Sequence, residues 1–174
     1  LFTCALPLPS FAQSSGLTGA MPPFAADGKQ YGELGRDLQS LLTAHLSAQD
    51  NVIMVERAEL DAALSEAEPG ISGTVDPQSA AKIGYITGAQ VLITGRSFGV
   101  QKELVTVAKI IGTETTRVFG ETATMPLRRS AVEISVELAD KISVTTAQRG
   151  ASLVAPVVPK QDTVAKLKPL VNGE

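Results

Sequence analysis

The chain has 174 residues, of which 44% are hydrophobic and 19% charged. That is enough for one domain with its own core, and it excludes a disordered segment. Fifteen basic side chains against eighteen acidic ones leave a net charge of −3, so nothing in the balance attracts a phosphate backbone and nucleic acid is not an expected partner.

The N-terminal stretch LFTCALPLPSFAQ is apolar and ends with the small residues Ser10 and Ala12 on either side of Phe11. That pattern closes a secretory signal peptide cleaved after Ala12. Residues 1–12 are therefore read as the remnant of a leader and the protein as exported. The competing reading is a short apolar strand. Cys4 is the single cysteine. Leu1 stands where a lipidation motif has its leucine, but Thr3 is larger than the residue that normally precedes a lipidated cysteine. Cleavage after Ala12 leaves a mature chain with no cysteine and no disulfide.

Residues 13–30 are rich in Gly, Ser and Pro. They allow a short strand over 17–21 that Pro22 and Pro23 interrupt. Tyr31, Leu34, Leu38, Leu41, Leu42 and His45 recur at helical spacing and predict a helix over 31–48. The run NVIMVE predicts a short buried strand at 51–56. RAELDAALSEA follows as a helix over 57–67, with Leu60 and Leu64 on its apolar side and Pro69-Gly70 as its stop. After the loop GISGTV, Asp76 before Pro77 is an N-cap with proline in the first turn, which predicts a helix over 77–87 that Gly88 ends. Val, Ile and Thr dominate the next stretch, giving strands at 90–99, 103–111 and 117–125 with a turn at 112–116. A last helix over 128–147 carries Ala131, Ile134, Leu138 and Ile142 on one face. Beyond Gly150 three prolines and no period mark residues 151–174 as a flexible tail or linker. No internal repeat is visible. The pattern predicts one α/β domain over 13–150, a mixed β-sheet flanked by helices.

The inventory for catalysis is thin. The one histidine, His45, falls in line with Leu38, Leu41 and Leu42, so it is read as a partly buried structural residue. One His and one Cys do not make a zinc site. GISG at 70–73 has no lysine and follows a helix, which fits neither a phosphate loop nor a dinucleotide fingerprint. Glu56, Glu59 and Asp61 are acids within six residues. On a helix starting at Arg57, however, positions two apart do not share a face, so Glu59 and Asp61 diverge. Arg57 and Asp61 do share a face and predict a surface ion pair. Glu56, at the end of a strand and before a helix, is placed to cap the helix. Arg128 and Arg129 open the last helix against its dipole and mark a solvated face or a partner surface. No catalytic, metal-binding or cofactor-binding residue is assigned, and no cofactor is expected.

The run VIMVERAELDAAL, followed by GISGTVDPQSAAKIGYITGAQVLITGRSFG, resembles the CsgG family of bacterial envelope proteins. The positions that carry the resemblance are Val55, Glu56, Arg57, Leu60, Leu64, Ser72, Gly73, Ala81, Gly84, Gly88, Ala89 and Gly95. VAKIIGTETTRVFGE at 107–121 is similar to the family's next hairpin, with Gly112, Thr113 and Thr116 in its turn. The resemblance spans residues 17–147. It implies a fold like the N-terminal domain of TolB and like LpoB-type activators of penicillin-binding proteins. It also implies an exported, non-catalytic protein of the periplasm, or of the periplasmic face of the outer membrane, in a Gram-negative bacterium. In the curli secretion channel such domains form a ring, and two further hairpins per subunit build the barrel. Here only 103–125 is long enough for such a hairpin, and the resemblance assigns it to the domain's own sheet. The expected function is assembly or secretion of curli-like surface material through homo-oligomerisation and contact with other envelope proteins. The alternative is a monomeric periplasmic regulator, such as an activator of a penicillin-binding protein. Glu56 and Arg57 are read as structural signature positions.

Overall fold

The computed structural model describes residues 16–28, 31, 33–67, 77–126 and 130–156. In chain order the elements are β1 (Leu17–Ala20), β2 (Ala25–Ala26), α1 (Leu34–Ser47), β3 (Val52–Met54), α2 (Arg57–Ala67), α3 (Pro77–Thr87), β4 (Val91–Val100), β5 (Glu103–Gly112), β6 (Val118–Pro126) and α4 (Ala131–Arg149). A 3-10 turn at Gly150–Ser152 closes the series.

The strands form one mixed sheet in the order β3-β1-β4-β5-β6, with β2 also beside β4. β1 is parallel to both β3 and β4, and β4, β5 and β6 form an antiparallel meander. This is the mixed sheet with flanking helices that the sequence predicts. β1 and β2 are two pieces of one interrupted strand. Ala20 pairs with Leu92 and Ala25 with Arg96, so the β1–β2 side carries one residue more than β4 does. Pro22 and Pro23 fill the gap, where neither can donate to the ladder. The β4–β5 turn is two residues, Gln101 and Lys102, between the paired Val100 and Glu103.

Alternation along the strands divides the buried side chains into two cores. On one face α1 and α4 lie side by side. Leu38, Leu42 and Leu46 of α1 meet Ile134, Leu138 and Ile142 of α4 over Val91, Ile93, Ala108 and Ile110. On the other face Leu60 of α2 and Ala80 and Ile83 of α3 pack over Ala20, Leu92 and Ile111. Each fully buried Leu or Ile contributes about 1.5–3 kcal/mol, so the first face carries most of the stability. Asn51 ties the two halves: its Nδ2 donates to Ser143 O at 2.8 Å and to Thr146 Oγ1 at 2.7 Å, both on α4.

The helix predicted over 31–48 is α1 at Leu34–Ser47, and three further features differ from the sequence reading. β3 is an edge strand, and Ile53 is 59% exposed, because β1 rather than β3 takes the central position. α4 starts at Ala131, not at 128. Glu133 reaches back to accept from the Ser130 N–H at 3.3 Å, so the Ser-x-x-Glu capping pattern sets the start. Arg128 and Arg129 precede that cap and lie outside the described residues. At the C-terminus the packed unit continues past 150. Leu153 is fully buried in the first core, its carbonyl accepts from Thr115 Oγ1 at 2.7 Å, and Ser152 O accepts from Arg117 at 3.1 Å. Residues 157–174 lie outside the described residues.

Candidate interaction surface

Among the described residues, no group of three or more His, Cys, Asp or Glu is placed to hold a metal ion, and no helix is long and apolar enough to cross a membrane. Glu56, Glu59 and Asp61 are all exposed at the start of α2. Glu56 occupies the position before the helix, and its carbonyl accepts from the Leu60 N–H at 3.2 Å. The expected Arg57–Asp61 pair falls on a side chain outside the described set. His45 is half-buried near the end of α1.

Two of the glycines that carry the resemblance, Gly84 and Gly95, have packing reasons. A Cβ on Gly84 would stand 2.4 Å from Cβ and Cγ2 of Thr113, so α3 lies directly on the end of β5. A Cβ on Gly95 would strike the Phe24 ring at 2.3 Å. Gly88 ends α3 at φ +68°, the left-handed conformation that glycine adopts without strain. Leu60 is buried and Leu64 packs at the margin of the second core. Ser72 and Gly73 lie outside the described residues. These positions build the domain and are not gathered into a site.

Two surface features were not foreseen. The first is an open half of the sheet. α2 and α3 cover its second face only over β1, the start of β4 and the end of β5. Beyond Leu92 and Ile111, register and alternation place Arg96, Phe98, Val105, Val107, Lys109 and Thr122 on that same face. Phe98, Val105 and Val107 are half-buried, and Arg96, Lys109 and Thr122 are exposed. Arg96 pairs with Asp27, and its guanidinium lies 5.9 Å from the Phe98 ring centroid. Burial of these valines is incomplete in the single chain. The free edge of β6 is partly blunted, because Lys141 Nζ donates to Thr122 O at 2.7 Å.

The second feature is a cleft of about 120 Å³ at the carboxyl ends of β1 and β3. Outgoing connections diverge there: β1 leads to α1 on one face and β3 leads to α2 on the other. A split of this kind opens a crevice in α/β sheets, and ligands bind in such crevices. Met21, Gln39, Thr43, Met54, Val55 and Leu60 line it. Gln39 is only 4% exposed. Its Nε2 donates to Met21 O at 2.7 Å, which fixes the orientation of the amide and leaves Oε1 without a partner. A buried glutamine between Leu38 and Leu42 was the one signal in the sequence for this cleft.

The family model for the curli production assembly/transport component CsgG matches residues 18–102, from β1 through the β4–β5 turn. No curated protein matches the sequence. Among solved structures, the C-terminal domain of LpoB from Escherichia coli is similar with a TM-score of 0.53 at 13% identity, covering 64% of this chain and 84% of that one. The LpoB C-terminal domain from Salmonella enterica gives 0.52 at 12%, with the same coverage. The lipoprotein GNA1162 from Neisseria meningitidis gives 0.52 at 11%, covering 76% of this chain and 97% of that one. At these identities the structural likeness speaks for the fold alone. The family match over residues 18–102 and the fold agree with the resemblance read from the sequence: this chain is an α/β domain similar to the CsgG family.

Proposed function

We propose that this protein is a non-catalytic component of the bacterial cell envelope that works through protein–protein contact, chiefly with copies of itself, in assembly or secretion of curli-like surface material. The observation that carries this reading is the CsgG match over 18–102. It is supported by the half-uncovered sheet face, which presents Phe98, Val105 and Val107 beside the charged Arg96 and Lys109. Such an apolar centre with a polar margin has the composition of a protein interface. In this reading residues 1–12 are an export leader and the domain works on the periplasmic side.

The reading is tested by expressing the tagged chain with a photo-crosslinking residue at Val107 in a Gram-negative host and fractionating the cells. Envelope localisation with a defined crosslinked product is the expected outcome. A protein confined to the cytoplasm with no crosslinked product contradicts it.

A further inference from the structure

We propose that the outer edge of β6 adds an extended, acidic strand from a partner polypeptide. This deepens the reading of the domain as a protein-contact module and does not depend on self-association.

The free row on β6 follows from the bonds of its neighbours. The Gly112 N–H donates to Arg117 O at 2.9 Å. With Ile111 opposite Val118, the residues that bond to β5 are then Arg117, Phe119, Glu121, Ala123 and Met125. Val118, Gly120, Thr122, Thr124 and Pro126 turn their backbone groups outward. Two other observations agree. Lys141 Nζ reaches Thr122 O from outside, and Pro126, which has no N–H to give, stands at an outward position. Val118, Gly120, Thr122 and Thr124 are exposed, and among the described residues the Lys141 contact is the only bond made to this row. The other edge strand, β3, offers no such row. Bonds from Leu17 N to Asn51 O and from Val55 N to Gly19 O turn Val52 outward, and Val52 is only 2% exposed.

Adding a strand to an open edge takes its affinity from main-chain bonds and its specificity from the side chains alongside. Here those side chains are basic. On the second face Lys109 lies across from Gly120. A Cβ on Gly120 would meet only Ala108 O, at 3.9 Å, so packing does not require glycine there. Its bare backbone leaves the way open from Lys109 to the edge. An added strand would lie two spacings from β5, about 10 Å; a lysine stem reaching over Gly120 and a carboxylate reaching back close that gap. On the first face the Arg149 guanidinium lies 3.6 Å from the centroid of the Phe119 ring. The nearby carboxylates are engaged: Glu137 pairs with Lys141, Glu121 accepts from Thr145 Oγ1, and Glu114 accepts from the Ala155 N–H. Arg117 donates to Ser152 O, while Lys109 and Arg149 have no carboxylate partner among the described residues. Two consecutive acids in an added strand point to opposite faces, one to Lys109 and the other to Arg149. The same charges disfavour β6 of a second copy, which would bring two sets of these cations together. A strand following α4 in this chain would start at the Val118 end, where Glu114 holds Ala155, and run parallel to β6. With α4 on the first face, that crossover has the opposite hand to β1–α1–β3, and such crossovers keep one hand in about 98% of cases.

The full chain is titrated with the peptide acetyl-Thr-Val-Thr-Asp-Glu-Val-Thr-Val-amide and with versions carrying Asn-Gln or Lys-Lys in place of Asp-Glu. Amide hydrogen exchange is followed residue by residue by NMR. In the free protein the amides of Val118, Gly120, Thr122 and Thr124 should exchange fast and those of Phe119, Glu121 and Ala123 slowly. The acidic peptide should slow the outward set by at least about 10-fold, and its binding should weaken with salt. Lys109→Ala should weaken binding by about 2- to 5-fold, and Lys109→Glu should bind the Lys-Lys peptide in preference. Gly120→Pro removes an outward N–H and leaves the bonds to β5 in place, so it should keep the circular dichroism spectrum and weaken binding at least about 10-fold. Thr124→Pro repeats the test at a second outward position. Binding that leaves the outward amides unprotected, or that survives both proline variants, overturns the proposal. Equal binding of the three peptides overturns the acidic preference. Outward amides that become protected in the protein alone as its concentration rises give the edge to a second copy, which overturns the proposal and supports self-association. No binding of any peptide at about 1 mM also overturns it and leaves self-association to its own test.

Discussion

Gly84 sets two effects of opposite sign against each other. Replacing a glycine inside a helix by alanine stabilises by about 1 kcal/mol on propensity alone. Here the new Cβ would lie 2.4 Å from Thr113 Cβ and Cγ2 and 2.8 Å from Ala89 O, against an ordinary carbon–carbon separation of about 3.5–4.0 Å. Rotating Thr113 does not help, because its Cβ stays in place. Its Oγ1 also donates to Ala89 O at 2.8 Å and Gln90 O at 3.0 Å. Helix α3 must therefore shift by about 1 Å to restore ordinary contact, disturbing Ala80 and Ile83 in the second core. Overpacking of this kind costs about 1–3 kcal/mol, and weakening the Thr113 hydrogen bonds adds about 1 kcal/mol. Gly84→Ala is expected to lose about 2 kcal/mol net, a fall in Tm of about 4–8 °C for a chain of this size. Urea unfolding followed by circular dichroism measures it. Gly88→Ala is the control: no atom lies within 4 Å of its added Cβ, so only the left-handed backbone opposes it, at about 1 kcal/mol. A Gly84→Ala variant about 1 kcal/mol more stable than wild type would show that α3 does not press on Thr113.

Thr94 is buried with no partner for its hydroxyl among the described residues. Thr94→Val should be neutral or stabilising by about 1 kcal/mol in chemical denaturation, and a clear loss would reveal a partner. Gln101 holds φ +56° in the two-residue β4–β5 turn, so Gln101→Gly should stabilise by about 1 kcal/mol, read as a raised Tm; a lowered Tm would refute strain there. Leu153→Ala should cost about 2–5 kcal/mol if the segment after α4 is part of the core. An unchanged urea midpoint would return the domain boundary to 150.

How far these features could be read from the sequence follows the range of the signals involved. α3 was read to the residue because both of its ends are marked locally, by Pro77 and by Gly88. The meander was legible because Val, Ile and Thr recur through β4, β5 and β6. β3 was misplaced because a short apolar run looks alike at the centre and at the edge of a sheet. The start of α4 was missed because the Arg128-Arg129 pair masked the Ser130–Glu133 capping pattern just after it. Leu153 is a single anchor in an aperiodic segment, and periodicity cannot find it. The cleft draws Met21, Gln39, Met54 and Leu60 from four separate stretches, and only the fold brings them together. The open sheet face was hidden for a related reason: alternation marks which residues share a face, but not how far α2 and α3 reach across it.

Whether this domain works by self-association is decided by the mass of the full chain in solution. Light scattering over a concentration series, with and without detergent, should give a discrete assembly with a fixed number of copies. A monomer throughout, with and without detergent, would contradict the account and favour a tethered regulator acting alone on another envelope protein.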